Sequence, residues 1–383
     1  MKRTIEGSFA VAEATKNCEP EVVACYPITP STHIAEELAQ FYADGKLKQY
    51  IAVESEFAAI SALIGASATG ARTFSTTSSQ GLALMNEVLF TVSGMRLPIV
   101  MAVANRALSA PLNIWNDHQD AVSERDSGWI QLYCESNQEA TDTIPQAFKI
   151  AEKTLLPVMV NMDGFYLTHS VEQIDVPEKE LIAKFLSKFN PEIKLDPQNP
   201  LSLGVYAFPE HYQSFREDLH QDLIASQKII TEVNAEWAKL TGRNYGNGLW
   251  EEINLHDAEY VIVAMGSVIG NVKSVINEEL QKGNKKWGCL RLKSLRPFPT
   301  QIASLLSGKK SIGVFEKALS LGAPAVLYSE LRSALYDCKE SASQRPIVSS
   351  FVGGLGGRDI TRQHIRDLFT KLEKGTGSVQ QFI

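Results

Sequence analysis

The chain has 383 residues, 44% hydrophobic and 21% charged, enough for two or three domains with cores of their own. A formal net charge of −7 with no Lys/Arg run excludes a broad nucleic-acid surface. The basic start Met1-Lys2-Arg3 has no apolar signal core behind it, and the longest apolar stretch, residues 57–68, is too short to cross a bilayer. A cytoplasmic, membrane-free protein is therefore expected. Cys18, Cys25, Cys134, Cys289 and Cys338 form no C-x-x-C pair and have no His cluster beside them, so no metal site is expected in this chain.

In chain order, an apolar run over 22–25 leads into Tyr26-Pro27-Ile28-Thr29-Pro30-Ser31-Thr32. Each proline fixes its own φ and pushes the residue before it out of the α region. A strand should end at Tyr26 and a helix begin near Pro30, with Thr29 as its N-cap. Such a start suits an anion, though an ordinary strand-to-helix turn explains it as well. Further strands are expected at 50–53, 72–75, 98–103, 130–133 and 157–161, with helices at 34–42, 56–68, 81–92 and 138–154. Short apolar strands alternating with helices predict a parallel sheet covered on both faces, with its ligand crevice beyond the strands' carboxyl ends. The loops there are 26–32, 54–56, 76–80, 104–120 and 163–166.

From residue 170 the alternation stops. A polar, proline-bearing segment leads to a helical stretch over 220–240, read as a connector packed on the domains. A second α/β unit starts at Tyr260-Val261-Ile262-Val263-Ala264-Met265-Gly266-Ser267, with strands at 287–292, 311–315 and 347–351. Gly353-Gly354-Leu355-Gly356-Gly357 is not a dinucleotide fingerprint and reads as a flexible turn. The expected organisation is 1–175, a connector over 176–257, and 258–383.

Three loops carry candidate chemistry. Glu56 opens a helix with an apolar first turn, either as a dipole-stabilised surface charge or as a carboxylate at the mouth of an apolar crevice. Arg106 follows a strand and should project into the same crevice, where a guanidinium suits a planar carboxylate. The loop beyond it holds Asn113, Asp117 and His118. Its length marks it as functional, with Asp117 and His118 either acid–base groups or ties for the loop. The Gly-Asp-Gly with a later Asn that announces a metal-held pyrophosphate is missing; Asp163-Gly164-Phe165 is the nearest piece.

Tyr-Pro-Ile-Thr-Pro at 26–30, Glu-Ser-Glu at 54–56, Ala-Asn-Arg-Ala-Leu-Ser at 104–109, Asn-Asp-His-Gln-Asp at 116–120, Arg-Asp-Ser-Gly-Trp at 125–129 and Met-Asp-Gly-Phe at 162–165 occur in order. In this set the chain resembles the alpha subunit of pyruvate:ferredoxin oxidoreductases, in the multi-subunit branch of the 2-oxoacid:ferredoxin oxidoreductase family. Leu295-Arg296-Pro297-Phe298-Pro299 and Phe351 to Gly357 extend the likeness over nearly the whole chain.

The resemblance implies an α/β fold: a pyrimidine-type thiamine diphosphate-binding parallel-sheet domain, then an α/β domain like the C-terminal domain of transketolase. It implies a cofactor shared with a beta subunit that carries the pyrophosphate and Mg²⁺, [4Fe-4S] clusters on the beta and delta subunits, and a gamma subunit helping to bind coenzyme A. Glu56 would bond the cofactor's aminopyrimidine, with Pro27, Ile28 and Thr29 beside it. Thr29 and Arg106 would hold the substrate carboxylate, with Asn113, Asp117 and His118 nearby. Ferredoxin would take the electrons. Relatives acting on oxalate resemble this chain but have Arg at the position of Thr29, and those acting on 2-oxoglutarate differ after the Arg. A small neutral Thr29 therefore points to pyruvate, with 2-oxobutyrate tolerable. A transketolase-type transferase without a redox partner is the competing class.

Overall fold

The computed structural model describes residues 2–340, 345–375, 377 and 380–383. The first large sheet has seven strands in the order Ser294–Arg296, Ile130–Tyr133, Val158–Asp163, Val100–Asn105, Thr73–Thr77, Val22–Cys25 and Tyr50–Ala52. All pair in parallel except Ser294–Arg296, which lies antiparallel along Ile130–Tyr133. Every residue of Thr73–Thr77, Val100–Asn105, Ile130–Tyr133 and Val158–Asp163 is buried, as expected of strands covered on both faces. Helices Thr32–Ala43, Glu56–Ala68 and Asn137–Thr154 cross between them. The expected helix over 81–92 is instead two, Ser79–Leu84 and Asn86–Gly94, broken at Met85.

The second sheet has six strands in the order Gln381–Phe382, Ile347–Val352, Ser311–Glu316, Tyr260–Ala264, Trp287–Leu292 and Trp250–Ile253, with only Trp250–Ile253 antiparallel. A small antiparallel pair, Arg3–Glu6 with Val171–Ile174, closes the chain's start against the end of the first α/β unit. Packed on the first unit is the connector helix Pro209–Thr241, which begins well before residue 220 with proline in its first turn and ends on left-handed Gly242. Leu219, Ile230, Val233 and Trp237 are buried along it. Its end is tied down by Arg243, which grips Asp142 through Nε at 2.6 Å and Nη2 at 2.8 Å. Among the described residues no helix is long and apolar enough to cross a membrane, and no group of three or more His, Cys, Asp or Glu side chains is placed to hold a metal. Cys18, Cys25, Cys134 and Cys289 are buried free thiols, and Cys338 is partly exposed.

The two units share one apolar core. Met101, Val103 and Trp129 of the first belong to the same cluster as Leu290, Leu292 and Val314 of the second. Beside it lies an ionic cluster. The fully buried Arg291 pairs with Glu139, with Glu251 at 3.1 Å and with Glu135 at 3.6 Å. Lys293 reaches Glu139 at 3.0 Å, and Lys273 reaches Glu135 at 2.6 Å and Glu251 at 3.0 Å. Three cations facing three carboxylates leave no net buried charge.

Burial alone would raise the pKa of Glu139, but Arg291 and Lys293 hold it down to about 2. A depressed carboxylate contributes stability that is complete above its ordinary value of 4.5 and is lost as the pH falls toward 2. Glu139→Gln leaves Arg291 partly unpaired and is expected to lower stability by about 3–5 kcal/mol at neutral pH. Thermal melting across pH should show wild type falling toward the variant through that acid window. A constant gap between the two curves would refute this role for the carboxylate.

Candidate active site

The first wall of the site is the 26–32 turn. Ile28 O accepts from both the N–H and the hydroxyl of Ser31, each at 2.8 Å, so the chain closes a tight turn before the helix starts. The first helical hydrogen bonds then run to Ser31 O, from Ile34 and Ala35. Ser31, not Thr29, is the N-cap, which corrects the expectation from proline spacing. Pro27 and Thr29 are exposed, Ile28 is half-buried, and Thr29 O accepts from Arg106 Nη1 at 2.9 Å.

The second wall is the start of helix Glu56–Ala68. Ser55 caps it, its hydroxyl accepting from Ala58 N–H at 3.2 Å. Glu54 is exposed, whereas Glu56 turns inward and is only 6% exposed. Burial raises the pKa of Glu56, and among the described residues no cation pairs with it. Gly81 lies directly against the carboxylate. A Cβ there would sit 2.4 Å from Glu56 Oε1 and 2.6 Å from Thr77 Oγ1, so only glycine leaves that edge of the glutamate clear. Thr77 Oγ1 is itself buried with no hydrogen-bond partner.

The third wall begins at Arg106, which is 7% exposed. Its Nε donates to Asn113 O at 3.0 Å and its Nη1 to Thr29 O. Carbonyl dipoles orient this cation, and among the described residues no carboxylate forms an ion pair with it. The structure thus brings Thr29, Arg106 and Asn113 together. The Asn113 amide is occupied in holding the loop, donating to Gly356 O at 3.1 Å and accepting from Trp115 N–H at 2.7 Å.

Asp117 and His118 lie deeper, where the two units meet. Asp117 accepts from Gln119 N–H at 3.0 Å and Gly356 N–H at 3.2 Å, and burial raises its pKa. His118 is fully buried with Nε2 2.8 Å from Asp163 Oδ1. The other oxygen of Asp163 meets Lys317 Nζ at 2.7 Å and Ser267 Oγ at 2.5 Å, both just beyond strands of the second sheet. Burial would raise the pKa of Asp163, but Lys317 and His118 hold its carboxyl far below the usual range. Gly266, at φ 77°, passes so close that a Cβ would lie 2.7 Å from both Asp163 and His118. Nor is the glycine run at 353–357 a loose turn. Gly354, Gly356 and Gly357 take left-handed φ, and Gly357 donates to Asn116 O at 2.6 Å, docking the turn on the Arg106 loop.

Asp120, Asp163, Lys317 and Ser267 were not singled out from the sequence. Asp120 closes the Asn-Asp-His-Gln-Asp run and Asp163 stands in Met-Asp-Gly-Phe, so those two carried a signal. Nothing in the local sequence marks Lys317. Exposed apolar side chains stand on or next to these segments: Tyr26 beside Pro27, Phe57 beside Glu56, Leu84 on the Ser79–Leu84 helix, and Leu112, Ile114 and Trp115 on the Arg106 loop. An inward, unpaired glutamate, a glycine clearing its edge and an orphaned threonine hydroxyl fit the aminopyrimidine end of thiamine diphosphate.

A family model described as pyruvate flavodoxin/ferredoxin oxidoreductase, thiamine diP-bdg, matches residues 13–235, and one described as pyruvate:ferredoxin oxidoreductase core domain II matches 258–365. The chain is 50% identical over 378 residues to the pyruvate synthase subunit PorA of Methanocaldococcus jannaschii, covering 97% of this chain and 95% of that one. It is 40% identical to the ketoisovalerate oxidoreductase subunit VorA of Pyrococcus abyssi, covering 98% and 94%. A solved 2-oxoglutarate:ferredoxin oxidoreductase from Magnetococcus marinus superimposes with a TM-score of 0.71 at 21% identity. That match covers 97% of this chain and 65% of the solved one, a likeness of fold. The chain belongs to the pyruvate flavodoxin/ferredoxin oxidoreductase family, as a subunit with a thiamine diphosphate-binding domain in a 2-oxoacid:ferredoxin oxidoreductase.

Proposed function

We propose that the 2-oxoacid is pyruvate, converted with coenzyme A to acetyl-CoA and CO₂ while ferredoxin takes the electrons, reversibly. The observation that carries this reading is Arg106, a nearly buried cation aimed by two carbonyls and left without a carboxylate partner among the described residues. A desolvated guanidinium with unused N–H groups is built for a planar anion, and the carboxylate of a 2-oxoacid supplies one. Lys317, the other cation beside these loops, is spent on Asp163. Arg106 is the buried cation on these loops left free for an anion among the described residues, which favours a monocarboxylic substrate over 2-oxoglutarate or oxalate. Thr29, small and neutral at the edge of the site, leaves room for a methyl ketone. A branched 2-oxoacid is the second reading, favoured by the likeness to the ketoisovalerate oxidoreductase subunit.

Thiamine diphosphate, when bound, supplies the carbon nucleophile and electron sink that cleavage beside a ketone requires. Glu56 and the ledge of Pro27, Ile28 and Thr29 would hold its aminopyrimidine end. The raised pKa of Glu56 lets its carboxyl keep or share a proton with a ring nitrogen nearer neutrality than an ordinary glutamate. Arg106 and Thr29 would hold and orient the carboxylate, while Asn113 fixes the loop carrying the guanidinium. Asp117 and His118 would act from behind, keeping that loop seated on the second unit. The exposed apolar side chains on these segments call for a second chain to cover them, in keeping with a beta subunit that brings the pyrophosphate–Mg²⁺ half. [4Fe-4S] clusters would sit on the beta and delta subunits, and a gamma subunit would help to bind coenzyme A. A transketolase-type transferase would need no electron acceptor, so a colourless, active homo-oligomer would favour that class over the one proposed.

In the assembled complex Glu56→Gln is expected to slow pyruvate-dependent dye reduction by about 10²-fold or more without dissolving the assembly. Normal turnover by this variant would remove Glu56 from the mechanism. Arg106→Ala is expected to raise the KM for pyruvate roughly 10- to 100-fold and leave that for coenzyme A unchanged. Initial rates with pyruvate, 2-oxobutyrate, 2-oxoglutarate and a branched 2-oxoacid test the substrate. A kcat/KM higher for any of the others than for pyruvate would overturn the choice.

A further inference from the structure

We infer that Asp120 is a positioning residue that fixes the Arg106 guanidinium relative to Glu56, an inference resting on the carboxylate-binding role proposed for Arg106. Asp120 is 2% exposed and forms no ion pair among the described residues. Its carboxylate instead accepts four N–H groups. Oδ1 takes Asn105 Nδ2 at 3.0 Å and Ala121 N at 2.7 Å, while Oδ2 takes Ser79 N and Arg106 N, each at 2.9 Å. Oδ2 is the important atom, because its two donors belong to different walls of the site. Arg106 N–H starts the loop that grips Thr29. Ser79 N–H starts the helix whose Gly81 clears the edge of Glu56, and Ser79 holds a left-handed φ of 47° unusual for serine. The hydroxyls of Ser78 and Ser79 add bonds to Ala104 O and Ala107 O along the same seam. One buried oxygen thus joins Glu56, through Gly81 and Ser79, to the backbone that aims Arg106.

Four donors and no acceptor require the ionised form, since a proton on either oxygen would point at an N–H. Burial works the other way and raises the pKa of Asp120 to about 6. The charged or titratable groups facing it are Arg106, Glu124 and Tyr133. The Arg106 cation favours ionised Asp120, the Glu124 carboxylate opposes it, and Tyr133 stays neutral with its pKa raised by burial. The seam is therefore intact above about pH 6 and loosens as the pH falls through that value.

The test uses the assembled enzyme. Asp120→Asn keeps the shape but turns one oxygen into a donor facing two N–H groups. It is expected to raise the KM for pyruvate roughly tenfold while the KM for coenzyme A stays within about twofold. Glu139→Gln, whose ion-pair partners Arg291 and Lys293 bond neither Asp120 nor Arg106, serves as the reference for a purely structural loss and should lower the melting midpoint with both KM values unchanged. In wild type the KM for pyruvate should climb below pH 6 with that for coenzyme A flat, and in Asp120→Asn this climb should vanish. The wild-type profile decides the matter even where the variant does not assemble, since a flat KM for pyruvate would overturn the inference. So would equal rises in both KM values, or an unchanged KM for pyruvate in Asp120→Asn while Arg106→Ala raises it. An unchanged KM in Arg106→Ala would instead strike the underlying role of the arginine.

Discussion

Asp163 carries a full charge into a place sealed from water, and the relation between the two α/β units depends on how that charge is met. An isolated buried carboxylate is costly, and one stripped of a single partner more so than one never buried. His118 meets it from the first unit, Lys317 and Ser267 from the second. Losing either the histidine or the lysine would leave the Asp163 charge short of a buried partner. Because His118 stands on the loop that begins with Arg106, the same charge also settles where that loop lies. The glycine turn at 353–357 completes the seat from the other side, its backbone bonded to Asn116 and Asp117.

Buried polar groups thus do two kinds of work here. Around Arg291 they form a balanced ionic cluster that joins the helix Asn137–Thr154 to the second sheet. Around Asp120 and Arg106 the opposite charges face each other without an ion pair among the described residues: one carboxylate is hydrogen-bonded by N–H groups alone, and one guanidinium by carbonyls alone. Balanced charge favours permanence, whereas charge held only by neutral dipoles keeps its capacity for an incoming ion. The contrast within one chain separates the groups that hold it together from those that face chemistry.

Much of this was legible in the sequence. The strand Val22–Cys25 and the helix Glu56–Ala68 stand where their apolar runs and flanking residues place them, because period and caps are local properties. Glu56 and Arg106 could be named for the same reason: each sits at a strand's carboxyl end. What local reasoning missed was set by distant partners. Thr29 looked like an N-cap by proline spacing, but the chain makes one more tight turn, Ser31 N–H to Ile28 O, before the helix starts, and that moves the cap position to Ser31. Lys317 follows an ordinary apolar strand, and only its pairing with a residue far earlier in the chain gives it meaning. The glycine run read as loose because its hydrogen-bond partners, Asn116 and Asp117, lie in another unit.

The short strand Ser294–Arg296 has a further consequence. It comes from the second half of the chain yet forms the outer border of the first sheet, laid antiparallel on Ile130–Tyr133. A first unit made alone would present Ile130–Tyr133 as a bare, mostly apolar edge strand, a template for pairing with another extended chain. During synthesis that rim stays uncovered until residue 296 has emerged. The cofactor-binding unit therefore depends on its follower for protection against self-association.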